Sequence, residues 1–197
     1  MSDEYLVLEY PADNKKGYCT LTELKGFENN WAVGAGISQV DTPPGQITMS
    51  MHAERPRNTA LPDYVNNLHS LMIISPRLKK FLQEQNVTHV EYFPLDIIDH
   101  KGKIASNEYV IAHLIDHIEC IDADASEAKW TNEGLPTLRI RSLESMELET
   151  SKIPEGRNLF FPKYYSVYPI LHKDLAEAME KEGFTNIDIV PLDECAC

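Results

Sequence analysis

The chain has 197 residues, of which 43% are hydrophobic and 25% are charged, which is ordinary for a globular protein with a substantial core. Its formal net charge is −13 at pH 7, and a surface of that sign repels nucleic acid and anionic membranes. No apolar run approaches the roughly 18 residues of a membrane span. The acidic amino terminus lacks the layout of a signal peptide. We therefore expect a cytoplasmic protein that binds neither nucleic acid nor membrane.

The negative charge is concentrated in two segments. Residues 116–155 contain ten acidic and four basic side chains, and residues 173–197 contain seven and two. Together the two segments carry −11 of the net charge. Such a distribution serves solubility alone, or it guides a basic partner to one face of the protein.

The first third of the chain predicts strands, turns and one short helix. Alternating apolar residues indicate strands at 5–10 and Ile47–Met51. The proline-bounded, charged segment 54–62 is typical of a surface loop. Residues 61–65 follow it and predict a short helix.

One pattern occurs twice, 97 residues apart. Residues 75–96 and residues 172–193 each predict a helix, a tight stop and a strand. Apolar residues recur on one face of each predicted helix at positions i, i+3 and i+4. They are Leu78, Phe81 and Leu82 in the first unit, and Leu175, Ala178 and Met179 in the second.

Single residues mark the ends of these two units. Ser75 precedes a proline and predicts a helix cap. Asn86 and Gly183 occupy equivalent positions after the helices, and both residue types favour the left-handed conformation that ends a helix. Pro94 and Pro191 follow the strand residues, so we expect the strand ladders to end there.

The longest apolar stretch, residues 108–122, is rich in β-branched residues and predicts a central strand with apolar groups on both faces. Shorter strands are predicted at 138–140, 146–148 and 159–161. Helices and strands are mixed without a regular βαβ alternation. We therefore predict a single α+β domain, residues 1–197, with a mixed, largely antiparallel sheet, a few short helices and the two helix-turn-strand units.

The segment 113–124 contains the residue types that a metal or catalytic site would use. His113 and His117 are four residues apart, and Asp116 and other carboxylates lie beside them. On a strand, this spacing separates two side chains by about 13 Å, too far for one metal ion. The chain also lacks a recognisable nucleophile-and-base signature. We expect no catalytic residue, no metal and no cofactor, and we keep a small metal-dependent hydrolase using residues 113–124 as the alternative.

A series of short stretches occurs in an order that is typical of one bacterial family. They are residues 71–82, 90–95, 108–113, 120–126, 158–161 and 173–187. Through these stretches the chain resembles the eleventh immunity-protein family of bacterial polymorphic toxin systems, formerly a family of unknown function. The resemblance covers about residues 31–192 and, more weakly, the predicted strand 5–10. The shared features are apolar and capping residues rather than catalytic ones.

The resemblance implies a small cytoplasmic protein, encoded beside a secreted toxin, that binds and neutralises that toxin. It brings no catalytic residues. A cognate protein toxin of basic character would fit the acidic segments, which supply the contact candidates. These are Asp122, Asp124, Glu144, Glu147, Glu149, Asp193 and Glu194. A structural subunit of a larger assembly is a third hypothesis.

Overall fold

The computed structural model of the protein describes residues 4–11, 17–27, 30–131 and 138–195. The helices in those ranges are α1 (Asn30–Gly34), α2 (Pro76–Glu84) and α3 (Lys173–Glu182). The strands are β1 (Tyr5–Glu9), β2 (Thr20–Lys25), β3 (Ile47–Met51), β4 (Tyr64–Asn67), β5 (Ile73–Ile74), β6 (Val90–Ile98), β7 (Ile104–Leu114), β8 (Lys129–Thr131), β9 (Arg139–Ser142), β10 (Leu159–Phe160), β11 (Ile170–His172) and β12 (Asp188–Pro191). Short 3-10 turns cover Thr150–Lys152 and Leu192–Glu194. The predicted α+β class is confirmed.

Half of the strands close into a barrel in the order β2-β3-β6-β7-β5-β4. The β3–β6 and β2–β4 pairs are parallel, and the other pairs are antiparallel. Alternate residues of each strand point inward and are buried, as a period of two requires. Ile47, Met49 and Met51 show this on β3, and Leu95 and Ile97 show it on β6.

A second sheet, in the order β10-β11-β1-β12, is antiparallel throughout. One face of this sheet and the outside of the barrel share a buried middle layer, into which both long helices pack. Leu8 enters that layer, whereas its neighbour Val7 enters an outer cluster on the opposite face. The shared layer supports the single-domain interpretation, which stays a prediction.

The two predicted helix-turn-strand units are present as α2–β6 and α3–β12. Ser75 Oγ accepts a hydrogen bond from the Leu78 amide, at 3.1 Å, and caps α2 as predicted. Residues with a left-handed backbone conformation follow the helix in both units, at matching positions. They are Asn86 (φ 53°) and His89 (φ 58°) in the first unit, and Gly183 (φ 62°) and Asn186 (φ 61°) in the second. The similarity between the units therefore includes backbone conformation.

A buried carboxylate connects the two units to the barrel. Asp63 lies just before β4 and is 8% exposed. Its carboxylate accepts a hydrogen bond from Ser75 Oγ at 2.7 Å. It also accepts two bonds from Thr185, one from the amide and one from the hydroxyl, each at 2.9 Å. Arg77 on α2 forms an ion pair with Asp63 at 3.2 Å and also donates to the Glu182 carbonyl at the end of α3. One side chain thus fixes the start of α2 against the turn between α3 and β12.

Two local predictions in this region are wrong. Residues 61–65 do not form a helix, because Tyr64 and Val65 belong to β4 and pair with β5. Both side chains are buried, on opposite faces, which a strand allows and a surface helix does not. The ladder of β6 also continues past Pro94 to Ile98. It can do so because β3 pairs with β6 only from Leu95 onward.

The predicted strand 108–122 also differs from the structure. Strand β7 begins earlier, at Ile104, and ends at Leu114. Asp116 then takes a positive φ of 56°, and Arg157 donates to the carbonyls of Ile115 and Asp116. The predicted strands at 138–140 and 159–161 correspond to β9 and β10. Residues 146–148 form only an isolated bridge, between Leu148 and Ile121.

Asp63→Asn should lower the free energy of unfolding by at least about 2 kcal/mol, because the amide keeps only one acceptor oxygen where donors bond both carboxylate oxygens, and it removes the buried counter-ion of Arg77. Urea denaturation measures the change. Asp41→Asn is the matched control, since Asp41 is exposed. Equal stability of the two variants would contradict this role of Asp63.

Candidate partner-binding site

Two acidic segments that are about 25 residues apart in sequence meet as a short antiparallel ladder. The Asp122 amide donates to the Glu147 carbonyl at 2.9 Å, and the Glu149 amide donates to the Cys120 carbonyl at 2.7 Å. Ile121 and Leu148 face each other between these bonds. The carboxylates of both segments are thereby brought to one region of the surface.

Hydrogen bonds from backbone amides to side-chain oxygens hold the turn that follows this ladder. Asp122 Oδ1 accepts a hydrogen bond from the Ala125 amide at 3.0 Å. Ser126 is fully buried, and its hydroxyl accepts from the Glu147 amide at 3.0 Å. These bonds hold the backbone beside Asp124, whose own side chain is exposed.

A third segment forms the opposite side of this region. The Lys163 amide donates to the Ile118 carbonyl at 2.7 Å, and the Tyr164 carbonyl accepts from the Ile140 amide at 2.9 Å. The Tyr164 ring packs edge-to-face against Trp130, with the ring centroids 5.6 Å apart. Backbone bonds thus place an aromatic pair next to the acidic ladder.

An open cleft of about 280 Å³, which we call the acidic cleft, lies between these segments. Its charged lining consists of Glu119, Asp122, Asp124, Glu149, Lys152 and Lys163, and its aromatic lining consists of Trp130 and Tyr164. Four carboxylates against two ammonium groups leave a formal charge of −2. The cleft is therefore suited to a cation that can also contact an aromatic ring.

Both lysines of the acidic cleft are already paired. Lys163 bonds Glu119 at 2.8 Å, and this hydrogen bond raises the pKa of the lysine and lowers that of the carboxyl. Lys152 pairs with Glu149. Because solvent screens exposed pairs of this kind, they orient side chains more than they stabilise the fold. Within the described ranges, no basic side chain forms an ion pair with Asp122 or Asp124.

The structure distributes the seven predicted contact residues unevenly. Asp122, Asp124 and Glu149 line the acidic cleft. Glu147 and Asp193 line a second cleft of about 330 Å³, next to Tyr5 and Lys173. Glu144 pairs with Lys129 at 2.8 Å beside the β8–β9 ribbon, and Glu194 lies exposed in the last 3-10 turn. The predicted residues therefore do not form a single site.

Comparison with models of protein families shows which family the chain belongs to. The model of the immunity protein family Imm11 matches residues 13–193, which is most of the chain. The chain belongs to the Imm11 family. The resemblance predicted from residues 31–192 is thereby confirmed for this Imm11 protein, and the match extends further toward the amino terminus. No curated protein matches the sequence.

Sequence reasoning missed the non-acidic members of the acidic cleft. Trp130, Lys152, Lys163 and Tyr164 come from three separate segments, and no spacing in the sequence connects them. Their proximity depends on the ladder between residues 120–122 and 147–149, which carries no turn signal or periodicity. An aromatic residue next to an acidic run is too common to have identified them.

The hydrolase alternative uses Asp116, His117 and the nearby carboxylates of residues 113–124. We expected His113 and His117 to lie on one strand, and they do not, because β7 ends at Leu114. His113 is on β7, is 1% exposed, and donates from Nε2 to the Ile37 carbonyl at 2.9 Å. His117 lies beyond the end of β7, where a Cβ at Gly36 would collide with its ring. Among the described residues, no group of three or more His, Cys, Asp or Glu side chains could hold a metal ion.

The helices of this Imm11 protein are short. None of those in the described part of the chain has the length and apolar character that crossing a bilayer requires.

The stability of this Imm11 protein should fall as the pH drops from 6.5 toward 4. Burial lowers the pKa of His117 to about 4, with a further contribution from His113, so the unfolded chain binds a proton in this range before the folded protein does. The loss is at most about 1.4 kcal/mol per pH unit. Urea denaturation at several pH values should show a shallower pH slope for His117→Phe than for the wild type. Identical slopes would contradict the burial of a neutral His117.

Proposed function

We propose that this Imm11 protein neutralises a cognate secreted toxin by direct binding, and that the acidic cleft lies in the interface. The observation that carries the proposal is that, in a member of an immunity family, the predicted contact residues Asp122, Asp124 and Glu149 come from two separate segments and line one cleft. Two of them, Asp122 and Asp124, have no ion-pair partner among the described residues. Carboxylates left unpaired in this way can accept a partner's cations.

The charge of the protein supports a basic partner. A net charge of −13, concentrated on the segments that line both clefts, attracts a positively charged protein over distances comparable to the Debye length. Toxins that act on nucleic acid carry positive charge for their own substrate, so a nuclease is a natural candidate. Inhibition by covering an active site requires no chemistry from the inhibitor, which is consistent with a non-enzymatic, cytoplasmic role.

The acidic cleft alone is too small for a stable complex. A specific interface usually covers about 800 Å² on each partner. Residues 146–149 contribute to both clefts, with Glu149 in the first and Glu147 in the second. A toxin that covers this segment would therefore contact both clefts, and we propose that both belong to the interface.

The direct test uses the toxin encoded by the neighbouring gene. Co-expression of this Imm11 protein should restore growth to cells that produce the toxin, and the purified proteins should form a stable complex of defined stoichiometry. Growth arrest despite soluble Imm11 protein, together with no complex in isothermal titration calorimetry, would contradict the proposed function.

Charge reversal at the acidic cleft should slow association. The double variant Asp122→Lys/Asp124→Lys should reduce the association rate about 10-fold or more at low salt, with a smaller effect at 0.5 M NaCl, because screening weakens steering. Stopped-flow mixing or surface plasmon resonance measures the rate.

The matched control for this experiment is Glu177→Lys/Glu180→Lys. It changes the net charge equally, on exposed positions of α3 that line neither cleft. Equal slowing by the two double variants would show that total charge matters and the acidic cleft does not.

A further inference from the structure

We propose that the acidic cleft is a receptor for one arginine side chain of the bound toxin, with the guanidinium against Trp130 and Tyr164 and paired to Asp122 and Asp124. This inference rests on the proposed function, since it names the group that the acidic cleft accepts from the partner. Its support is the combination of an aromatic wall, unpaired carboxylates and an internal cation that already uses part of the same cleft.

Lys163 shows how the acidic cleft binds a cation. Its ammonium lies 4.7 Å from the centroid of the Tyr164 ring and 2.8 Å from the Glu119 carboxylate. A ring face and a carboxylate therefore hold one positive charge together in the free protein. Trp130 adds a second ring and Asp122 and Asp124 add two carboxylates to the lining of the same cleft. Lys152 acts on Asp122 only at longer range, and no described cation forms an ion pair with either aspartate.

The volume of the acidic cleft favours a side chain over a free small molecule. Ligand pockets in proteins usually measure about 300–1,000 Å³ and enclose most of the ligand. This cleft has about 280 Å³ and opens to solvent, so it can take one long side chain that remains attached to a larger body. A protein partner supplies such a side chain and covers the open side.

Arginine matches the cleft better than lysine does. Its planar guanidinium stacks on aromatic rings, is weakly hydrated and can bond two carboxylate oxygens at once. The strongly hydrated ammonium of lysine has neither the plane nor the paired donors. Trp, Tyr and Arg are also the residues that most often dominate the energy of protein interfaces.

The acidic cleft is organised before the toxin arrives. Asp122 Oδ1 is held by the Ala125 amide, and the Tyr164 carbonyl is held by the Ile140 amide. Because both walls are fixed by hydrogen bonds, little conformational freedom is lost on binding, which favours affinity. The arginine then meets a site that needs little rearrangement.

The acidic cleft can be tested without the toxin, by titrating the full-length protein with N-acetyl-arginine amide. The control is N-acetyl-citrulline amide, which has nearly the same shape and no charge. In ¹⁵N NMR spectra, the Trp130 indole and the amides of residues 122–124 should shift with the arginine probe and not with the citrulline probe.

Lys163→Gln should bind the arginine probe several-fold more tightly, because it removes the competing ammonium from Glu119 and Tyr164. Equal shifts with both probes would overturn the proposal.

The toxin complex supplies a second measurement. Trp130→Leu should weaken toxin binding about 10-fold or more, whereas Trp130→Phe, which keeps a ring face, should stay within about threefold of the wild type. Thermal unfolding of both variants checks that each is folded. Equal affinity of Trp130→Leu and the wild type would overturn the proposal while leaving the proposed function intact. Binding of the arginine probe by a protein that does not bind the toxin would contradict the proposed function and with it the toxin as the source of the arginine, and it would leave the acidic cleft as a guanidinium site.

Discussion

The arrangement of the two helix-turn-strand units depends on the Asp63 carboxylate, because this group, just before β4 of the barrel, bonds the start of α2 and the second helix-turn-strand unit at once. A buried charge is costly unless its oxygens are occupied by donors, and those of Asp63 are shared by Ser75, Arg77 and Thr185. Apolar contacts are non-directional, whereas the bonds to Asp63 have defined partners and directions in both helix-turn-strand units. Hydrophobic burial thus supplies the stability of the layer, and Asp63 supplies its geometry.

The candidate site lies on the other side of the second sheet. Strand β1 separates the two regions, since Leu8 packs into the middle layer and Val7 into the outer cluster beneath the clefts. Residues 118–121 and 143–148 complete that cluster from outside the main sheets. The segments that carry the acidic residues are therefore anchored by buried apolar neighbours, and their carboxylates remain in water.

Short-range features of the sequence predicted the structure well. The helix cap at Ser75 and the left-handed stops at Asn86 and Gly183 each follow from the preference of a single residue. We predicted one strand over residues 108–122, which is wrong after Leu114 because this apolar stretch passes from the middle layer into the outer cluster. Ile118 and Cys120 are as buried as strand residues, but in a different core, so burial there does not indicate a continuous strand. The acidic cleft was partly predictable, since charge density marked Asp122, Asp124 and Glu149, whereas its aromatic wall depends on long-range pairing.

The closed barrel also has a consequence for how the protein behaves at high concentration. An exposed strand edge offers unpaired backbone groups to other chains, and closure of the barrel leaves its strands with less unpaired edge than an open sheet would have. The second sheet has two edges, of which β10 is only two residues long and β12 ends in Pro191, which has no amide hydrogen to donate. These features reduce the opportunity for a second copy of the protein to pair along the strands of the barrel or of the second sheet at high concentration.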